Sequence, residues 1–194
     1  MSFEAMALIN SNIGEENLAL IGYSKAIDIY RELVEINFDV YSSGLSNVLN
    51  NLAVLHYKMK KYDSSEKMYQ EALEIRSKLA KKNPDFFSKD LAFTLFNVAN
   101  LLKVQNKINQ AEEKYLEAVK IFRQLQKGNP GQFDLFLVKN LVGLSLFYKD
   151  SKKDKDKSIL YCKEADAALS NIAPNPEVLS LRQYTESITK AWGG

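Results

Sequence analysis

One pattern, written twice at a fixed distance, limits what this chain can fold into more than anything else in it. Residues Asn50 to Pro84 read NNLAVLHYKMKKYDSSEKMYQEALEIRSKLAKKNP, and Phe96 to Pro130 read FNVANLLKVQNKINQAEEKYLEAVKIFRQLQKGNP. Tyr69 and Tyr115, Ala72 and Ala118, Leu79 and Leu125, and Asn83-Pro84 and Asn129-Pro130 each stand 46 residues apart. The same step backwards leads to Tyr23, Ala26, Leu33 and Asn37, and pairs Ala53 with Ala7 and Lys60 with Gly14. Forwards, Leu91, Leu95, Val98 and Ala99 lead to Leu137, Leu141, Leu144 and Ser145. Four copies of one unit are present. A unit of this kind cannot bury its apolar face alone, so the copies must stack on one another.

Each copy carries two helical stripes. Leu45, Leu49, Leu52, Ala53 and His56 fall at steps of three and four, as do Leu91, Leu95, Val98, Ala99 and Leu102. A second stripe runs through Tyr69, Ala72, Ile75 and Leu79, and again through Tyr115, Ala118, Ile121, Phe122 and Leu125. Strands would put such residues on opposite faces, whereas a helix puts them on one. Ala53, Ala72, Ala99, Ala111 and Ala118 mark close helix approach, where a larger side chain would overpack. The stretches from Lys58 to Asp63 and from Gln105 to Asn109 join the two helices of a copy. Asn83-Pro84 and Asn129-Pro130 separate successive copies, because proline disfavours helix in the residue before it.

The fourth copy departs from the pattern. Ala165, Leu169 and Ile172 match Ala118, Phe122 and Leu125 at a step of 47, and the step returns to 46 at Asn175-Pro176. This predicts one residue inserted in the mixed-charge turn from Lys149 to Lys157, with Cys162 replacing Tyr115 on the packed face. A final helix starts at Pro176, a favourable first-turn residue, with a stripe of Leu181, Tyr184, Ile188 and Ala191 facing the stack and Arg182 facing elsewhere. Phe3 begins the first stripe at once, so no equivalent cap is read at the other end.

Composition narrows the setting. The 194 residues include 26 basic and 24 acidic ones, a formal net charge of +2, which gives no footprint for nucleic acid or an anionic membrane. One cysteine allows no internal disulfide. No secretory signal and no transmembrane run is read, so a soluble, cytoplasmic protein is expected.

These residues resemble the tetratricopeptide repeat family, most closely its long-period, kinesin-light-chain-like members, which share the Asn-Asn-Leu-Ala start at Asn50–Ala53 and the EALEI of Glu71–Ile75. The resemblance covers residues 3–176. It implies an all-α fold, a right-handed α-solenoid of four helix-turn-helix repeats (about 1–40, 41–86, 87–132 and 133–175) with a capping helix at 176–192, forming one domain over 1–194. The period of 46 exceeds the 34 of the ordinary repeat, so longer helices and a deeper groove are expected. Lys60, Asn106 and Lys152 stand where the ordinary repeat favours a turn glycine.

The family commonly binds peptides on the concave face lined by the first helix of each repeat. Carried over, that face comprises Asn47, Asn50, Val54, Tyr57 and Lys58 in the second copy, flanked by Asn51, and Phe93, Phe96, Asn100 and Lys103 in the third, flanked by Asn97. The fourth copy adds Lys139, Val142, Leu146 and Lys149. Asparagine amides both donate to and accept from a peptide backbone, and phenylalanines supply apolar anchors. The competing reading has the asparagines bridge neighbouring helices and the phenylalanines pack between copies. The carboxylate clamp of chaperone-binding family members would fall on Asn50, Val54, Asn97, Lys139 and Gly143, and only Asn97 and Lys139 match, with Glu4 and Leu8 taking its first places one copy earlier. Chaperone-tail binding of that type is therefore not expected.

Catalytic chemistry has few residues to work with. His56, the single histidine, lies on an apolar stripe with no serine or cysteine at a motif spacing. Cys162 reads as a small core residue, and one histidine with one cysteine cannot build a metal site. Glycine-rich phosphate loops are absent. The expectation is a scaffold without catalysis, metal or cofactor, whose partner is a protein or peptide held in the groove. Self-association, packing within a larger protein, and a peptide-sensing regulator are the alternatives.

Overall fold

The structure is a computed structural model that describes residues 7–8 and 15–193. Phe3, Glu4 and Gly14 lie outside the described residues. From Glu16 onward the chain is a succession of helices: α1 (Glu16–Ile36), α2 (Phe38–Lys58), α3 (Tyr62–Lys82), α4 (Pro84–Val104), α5 (Ile108–Gly128), α6 (Asp134–Phe147), α7 (Lys155–Leu169) and α8 (Pro176–Ala191). Consecutive helices pack in pairs, as in a helical repeat, and no strand occurs among the described residues. Contacts divide the chain into two compact units, residues 1–101 and 102–194, with α4 contributing to both. No helix among the described residues is long and apolar enough to cross a membrane.

The repeated asparagine explains how the chain turns between copies. Asn37 ends α1 by donating its backbone N–H to Leu33 O (2.9 Å), and its side chain starts α2 by accepting from Val40 N (3.2 Å). Asn83 does the same between Leu79 O and Phe86 N, and Asn175 caps α8 through Val178 N at 2.9 Å. One residue thus closes one helix and opens the next, which a short polar side chain can do and an apolar one cannot. Asn129 still closes α5, but Gly131 takes a left-handed φ of 87° and delays α6 to Asp134.

Inside each copy the turn is tighter than the sequence suggested, since α3 begins at Tyr62 and α5 at Ile108. Lys60 (φ 58°) and Asn106 (φ 60°) occupy the left-handed region at the position where a glycine is favoured. Behind them Lys61 N donates to His56 O and Lys107 N to Leu102 O, both at 2.9 Å. In the fourth copy the left-handed residue is Lys153 (φ 55°), not Lys152, and the closing bond runs from Asp154 N to Tyr148 O, spanning one residue more. The inserted residue is taken up in a single π-helical turn, Tyr148–Lys152. Wider i→i+5 turns are the usual way for a helix to absorb an extra residue. Most of the expected charged loop is therefore helical: only Lys153 and Asp154 separate the π turn from α7.

The first unit is built on Tyr23, Ala26, Leu45, Leu49, Leu52, Ala72, Ile75 and Leu79, with a second cluster at Ala53, Tyr69 and Leu101. All five alanines assigned to close helix approach are fully buried. Ser65 and Ser158 reach across the helix pair to the carbonyls of Ala53 (2.8 Å) and Ser145 (3.0 Å), equivalent positions in the second and fourth copies. Arg31 with Glu71 (2.9 Å) in the first unit is matched by Arg123 with Glu164 (2.6 Å) in the second, each tying the second helices of successive copies.

The terminal helix is rotated from its expected setting. Val178, Thr185 and Ile188 are buried, Tyr184 is 52% exposed and Ala191 is exposed. Thr185 fits the core because its hydroxyl donates to Arg182 O or Asp166 Oδ1. Arg182 is half-buried and donates to Leu169 O at 3.2 Å. Cys162 is fully buried against this helix, its Sγ 3.2 Å from Thr185 O, and burial pushes its thiol pKa up. It is the packed residue the sequence suggested.

Candidate functional site

In the first unit, the α2 and α4 residues singled out in the sequence form a hydrogen-bonded group and a group lining a cavity, with Asn97 in both. The bonded group is organised by Arg76 of α3, which is 5% exposed. Its Nη2 donates to Asn47 Oδ1 (2.7 Å), Nη1 to Asp90 O (2.8 Å) and to Thr94 Oγ1, and Nε to Ser46 Oγ (3.3 Å). Thr94 Oγ1 lies 3.3 Å from Asn50 Oδ1, which also accepts from Asn97 Nδ2 at 3.4 Å. A planar guanidinium with five donors suits this task, whereas an ammonium would leave acceptors unmet. Burial lowers the pKa of Arg76, and the nearby Asp90 and Tyr69 oppose that.

Asn47 and Asn50 are therefore engaged in joining helices, as the competing sequence reading had it. Asn100 donates to Phe96 O one turn earlier on its own helix (3.1 Å). Phe93, Phe96, Lys103 and Asn51 are half-buried.

The second group lines a cavity of about 230 Å³: Val54, Tyr57, Lys58, Tyr69, Asn97 and Asn100. Five of these six were named from the sequence as groove residues. Tyr69 was assigned to the core, and its ring does pack there, yet one side of it walls the cavity. Tyr57 leans on Tyr62 with ring centroids 5.9 Å apart. Burial, then the neighbouring Tyr62, raises the pKa of Tyr57; burial, then Tyr57, raises that of Tyr69 against the opposing effect of Arg76. Both phenols stay protonated and are hydrogen-bond donors at neutral pH. The walls are apolar and aromatic, the rim carries two amides, and Lys58 is exposed at the edge.

In the second unit Lys139 pairs with Glu177 (2.6 Å) and lies 5.8 Å from the centre of the Phe136 ring. Val142 is 5% exposed, so its side chain belongs to the packed core and is not available to a ligand. An exposed position was expected from the first-helix register, but α6 is apolar nearly all round and buries more of its surface.

Arg76 was missed in the sequence. Its column in the repeat reads Tyr30, Arg76, Phe122 and Leu169, so a lone charge among large apolar residues was the available signal. Where Phe122 replaces it, Asn140, the counterpart of Thr94, keeps a buried Oδ1 without a partner. His56 is half-buried with Nδ1 unpartnered, and its pKa is lowered by burial and then by Lys61, so it is neutral at physiological pH. No group of three or more histidine, cysteine, aspartate or glutamate side chains that could hold a metal occurs among the described residues.

Comparison with known proteins agrees with this architecture. The model of the tetratricopeptide repeat matches residues 4–78 and 44–124. Among solved structures, BtubC (BKLC) from P. vanneervenii superposes with a TM-score of 0.70 at 21% identity, over 90% of this chain and 65% of that one. The apo form of RapI gives a TM-score of 0.74 at 13% identity, over 98% of this chain and 50% of RapI. The chain thus spans between half and two thirds of the length of these structures. No curated protein matches it in sequence. Repeats of this kind form scaffolds for protein–protein interaction and are typically non-catalytic, and the helix pairs here are built in that way. The chain belongs to the tetratricopeptide repeat family.

Proposed function

We propose that the chain holds a short extended segment of a partner protein on the α2–α4 face of its first unit. The observation that carries this reading is the convergence of Val54, Tyr57, Tyr69, Asn97 and Asn100 on one cavity of about 230 Å³. That volume lies below the roughly 300–1,000 Å³ of small-molecule sites, and it suits a single apolar side chain. Burying such a side chain contributes about 1.5–3 kcal/mol. Asn97 and Asn100 at the rim supply amides for the segment's backbone, each such bond contributing about 0.5–1.5 kcal/mol. Lys58 at the edge favours an acidic or carboxylate neighbour. The setting we infer is the cytoplasm, where the single thiol, Cys162, stays reduced.

A display selection of random peptides on the full chain tests this. Selected peptides are expected to share an apolar residue and to bind Tyr57→Ala and Asn97→Ala at least about fivefold more weakly, the equivalent of roughly 1 kcal/mol. Unchanged affinity in both variants would sink the proposal.

A second reading, self-association through the helical faces, is favoured by one stripe. Leu18, Ile21 and Ile29 of α1 are all exposed at helical spacing. Light scattering over a dilution series, with Ile21→Glu as the comparison, decides it: a monomer at every concentration removes this reading.

A further inference from the structure

A second and larger cleft, of about 500 Å³, lies between α1 and α3 over the start of α2. Val34, Phe38 and Ile75 give it an apolar floor. Its rim carries Glu32, Glu35, Glu71 and Glu74 against two cations, Arg31 and Lys78. Arg31 is bound to Glu71 at 2.9 Å, whereas Glu32, Glu35 and Glu74 form no ion pair among the described residues. Three carboxylates thus line the apolar trough with Lys78 among them, while Lys82, whose Nζ lies 5.8 Å from the centre of the Phe38 ring, is paired with Asp39.

The repeat itself does not require this charge. The residues 46 further along the chain from Glu32, Glu35 and Glu74 are Lys78, Lys81 and Lys120, which carry the opposite sign. In the last copies the same positions hold Gln124, Lys127 and Ala167, although the Arg31–Glu71 pair recurs as Arg123–Glu164. Stacking of the helices therefore explains the pair and the apolar floor but not the three remaining glutamates. Charge set aside from packing is the kind that steers and selects a partner.

We propose that this cleft docks a basic amphipathic helix of a protein partner, with aliphatic residues on the Val34–Phe38–Ile75 floor and lysines or arginines against Glu32, Glu35 and Glu74. It lies on a different set of residues from the α2–α4 cavity, so either site can fail without the other.

The test is fluorescence anisotropy of the full chain with two labelled probes, an amphipathic helical peptide of leucine and lysine and its leucine–glutamate counterpart. The lysine probe binds and the glutamate probe does not. The triple variant Glu32→Lys, Glu35→Lys, Glu74→Lys, whose residues already occur at the equivalent positions of the next copy, weakens lysine-probe binding at least about tenfold. Lys78→Glu, which removes the cleft-lining cation that forms no ion pair among the described residues, strengthens it, and Asn97→Ala leaves it unchanged. Equal binding of both probes to the native chain, or no strengthening by Lys78→Glu, overturns the proposal. So does loss of lysine-probe binding in Asn97→Ala, which would place the probe at the other cavity.

Discussion

Arg76 holds Asn47 at 2.7 Å from a position that is 5% exposed, and through that bond a single guanidinium sets one side of the α2–α4 face. Thr94, Asn50 and Asn97 follow in the same chain of bonds, so Asn97 is presented to the cavity by a group that does not line it.

Removing Arg76 should therefore cost both stability and site geometry. Arg76→Leu leaves Asn47 Oδ1, Asp90 O and Thr94 Oγ1 short of a donor, a loss of about 2–4 kcal/mol in urea unfolding. Arg76→Lys retains the charge but not the fork and should lose less. A change below about 0.5 kcal/mol, the range of ordinary surface substitutions, would contradict the role given to this residue.

The turns make a sharper prediction, because the fourth copy is out of step with the others. Lys60 and Lys153 adopt left-handed backbone that costs an L-residue about 1–2 kcal/mol. Lys60→Gly and Lys153→Gly should each stabilise by about 0.5–1 kcal/mol, the relieved strain less the unfolded-chain entropy that a glycine adds. Lys152→Gly should destabilise, since Lys152 is in the π turn and pairs with Glu112 at 2.7 Å. Thermal denaturation of the three variants separates these outcomes.

How far the sequence could be read follows from where its periodicity holds. The offset of 46 located the helix pairs, the alanine contacts and the asparagine turns, because burial and capping depend on position within the copy. The step of 47 located the insertion. It did not reveal that the extra residue winds into a π turn, since sequence spacing counts residues and not hydrogen bonds. The spacing puts Tyr184 on the packed stripe of α8, but in the fold its ring, which carries a hydroxyl, faces solvent. In the fold Thr185 takes the buried position, its hydroxyl satisfied by local acceptors. At the candidate site the register of the first helices gave Val54, Tyr57, Lys58, Asn97 and Asn100, but the engagement of Asn47 and Asn50 between helices depended on Arg76, a residue on a different helix.

Two groups should shape stability below neutral pH. His56 has its pKa lowered from 6.5 by burial and then by Lys61, so the unfolded chain takes up a proton before the folded one does. Its contribution is present above pH 6.5 and is lost as pH falls from there towards the folded value. Glu112 is the second. Burial alone would raise its pKa, but hydrogen bonds from Lys152, Tyr148 and Lys157 outweigh that and lower it from 4.5. Its stabilisation is complete above 4.5 and is lost as pH falls through the depressed folded value. Unfolding midpoints measured from pH 7.5 to 3 should fall in both windows, with His56→Leu flattening the upper one and Glu112→Gln the lower. Identical profiles for native and variant chains would refute the assignment.

Gly44 marks a contact between α1 and α2 where the Tyr30 ring fills the space a side chain would take. A Cβ there would overlap the Tyr30 ring. Gly44→Ala should cost about 1–3 kcal/mol by overpacking, and adding Tyr30→Leu should recover part of it. If the double variant is no more stable than Gly44→Ala alone, the clash is not the cause.

The central claim is that the α2–α4 face of the first unit receives a partner segment, and hydrogen exchange of the full chain with a display-selected peptide tests it most directly. Slowed exchange is predicted at the cavity-lining turns, around Val54–Lys58 and Asn97–Asn100, and it should vanish for Tyr57→Ala at the same peptide concentration. Protection confined to other helices, with those two stretches unchanged, would contradict the account.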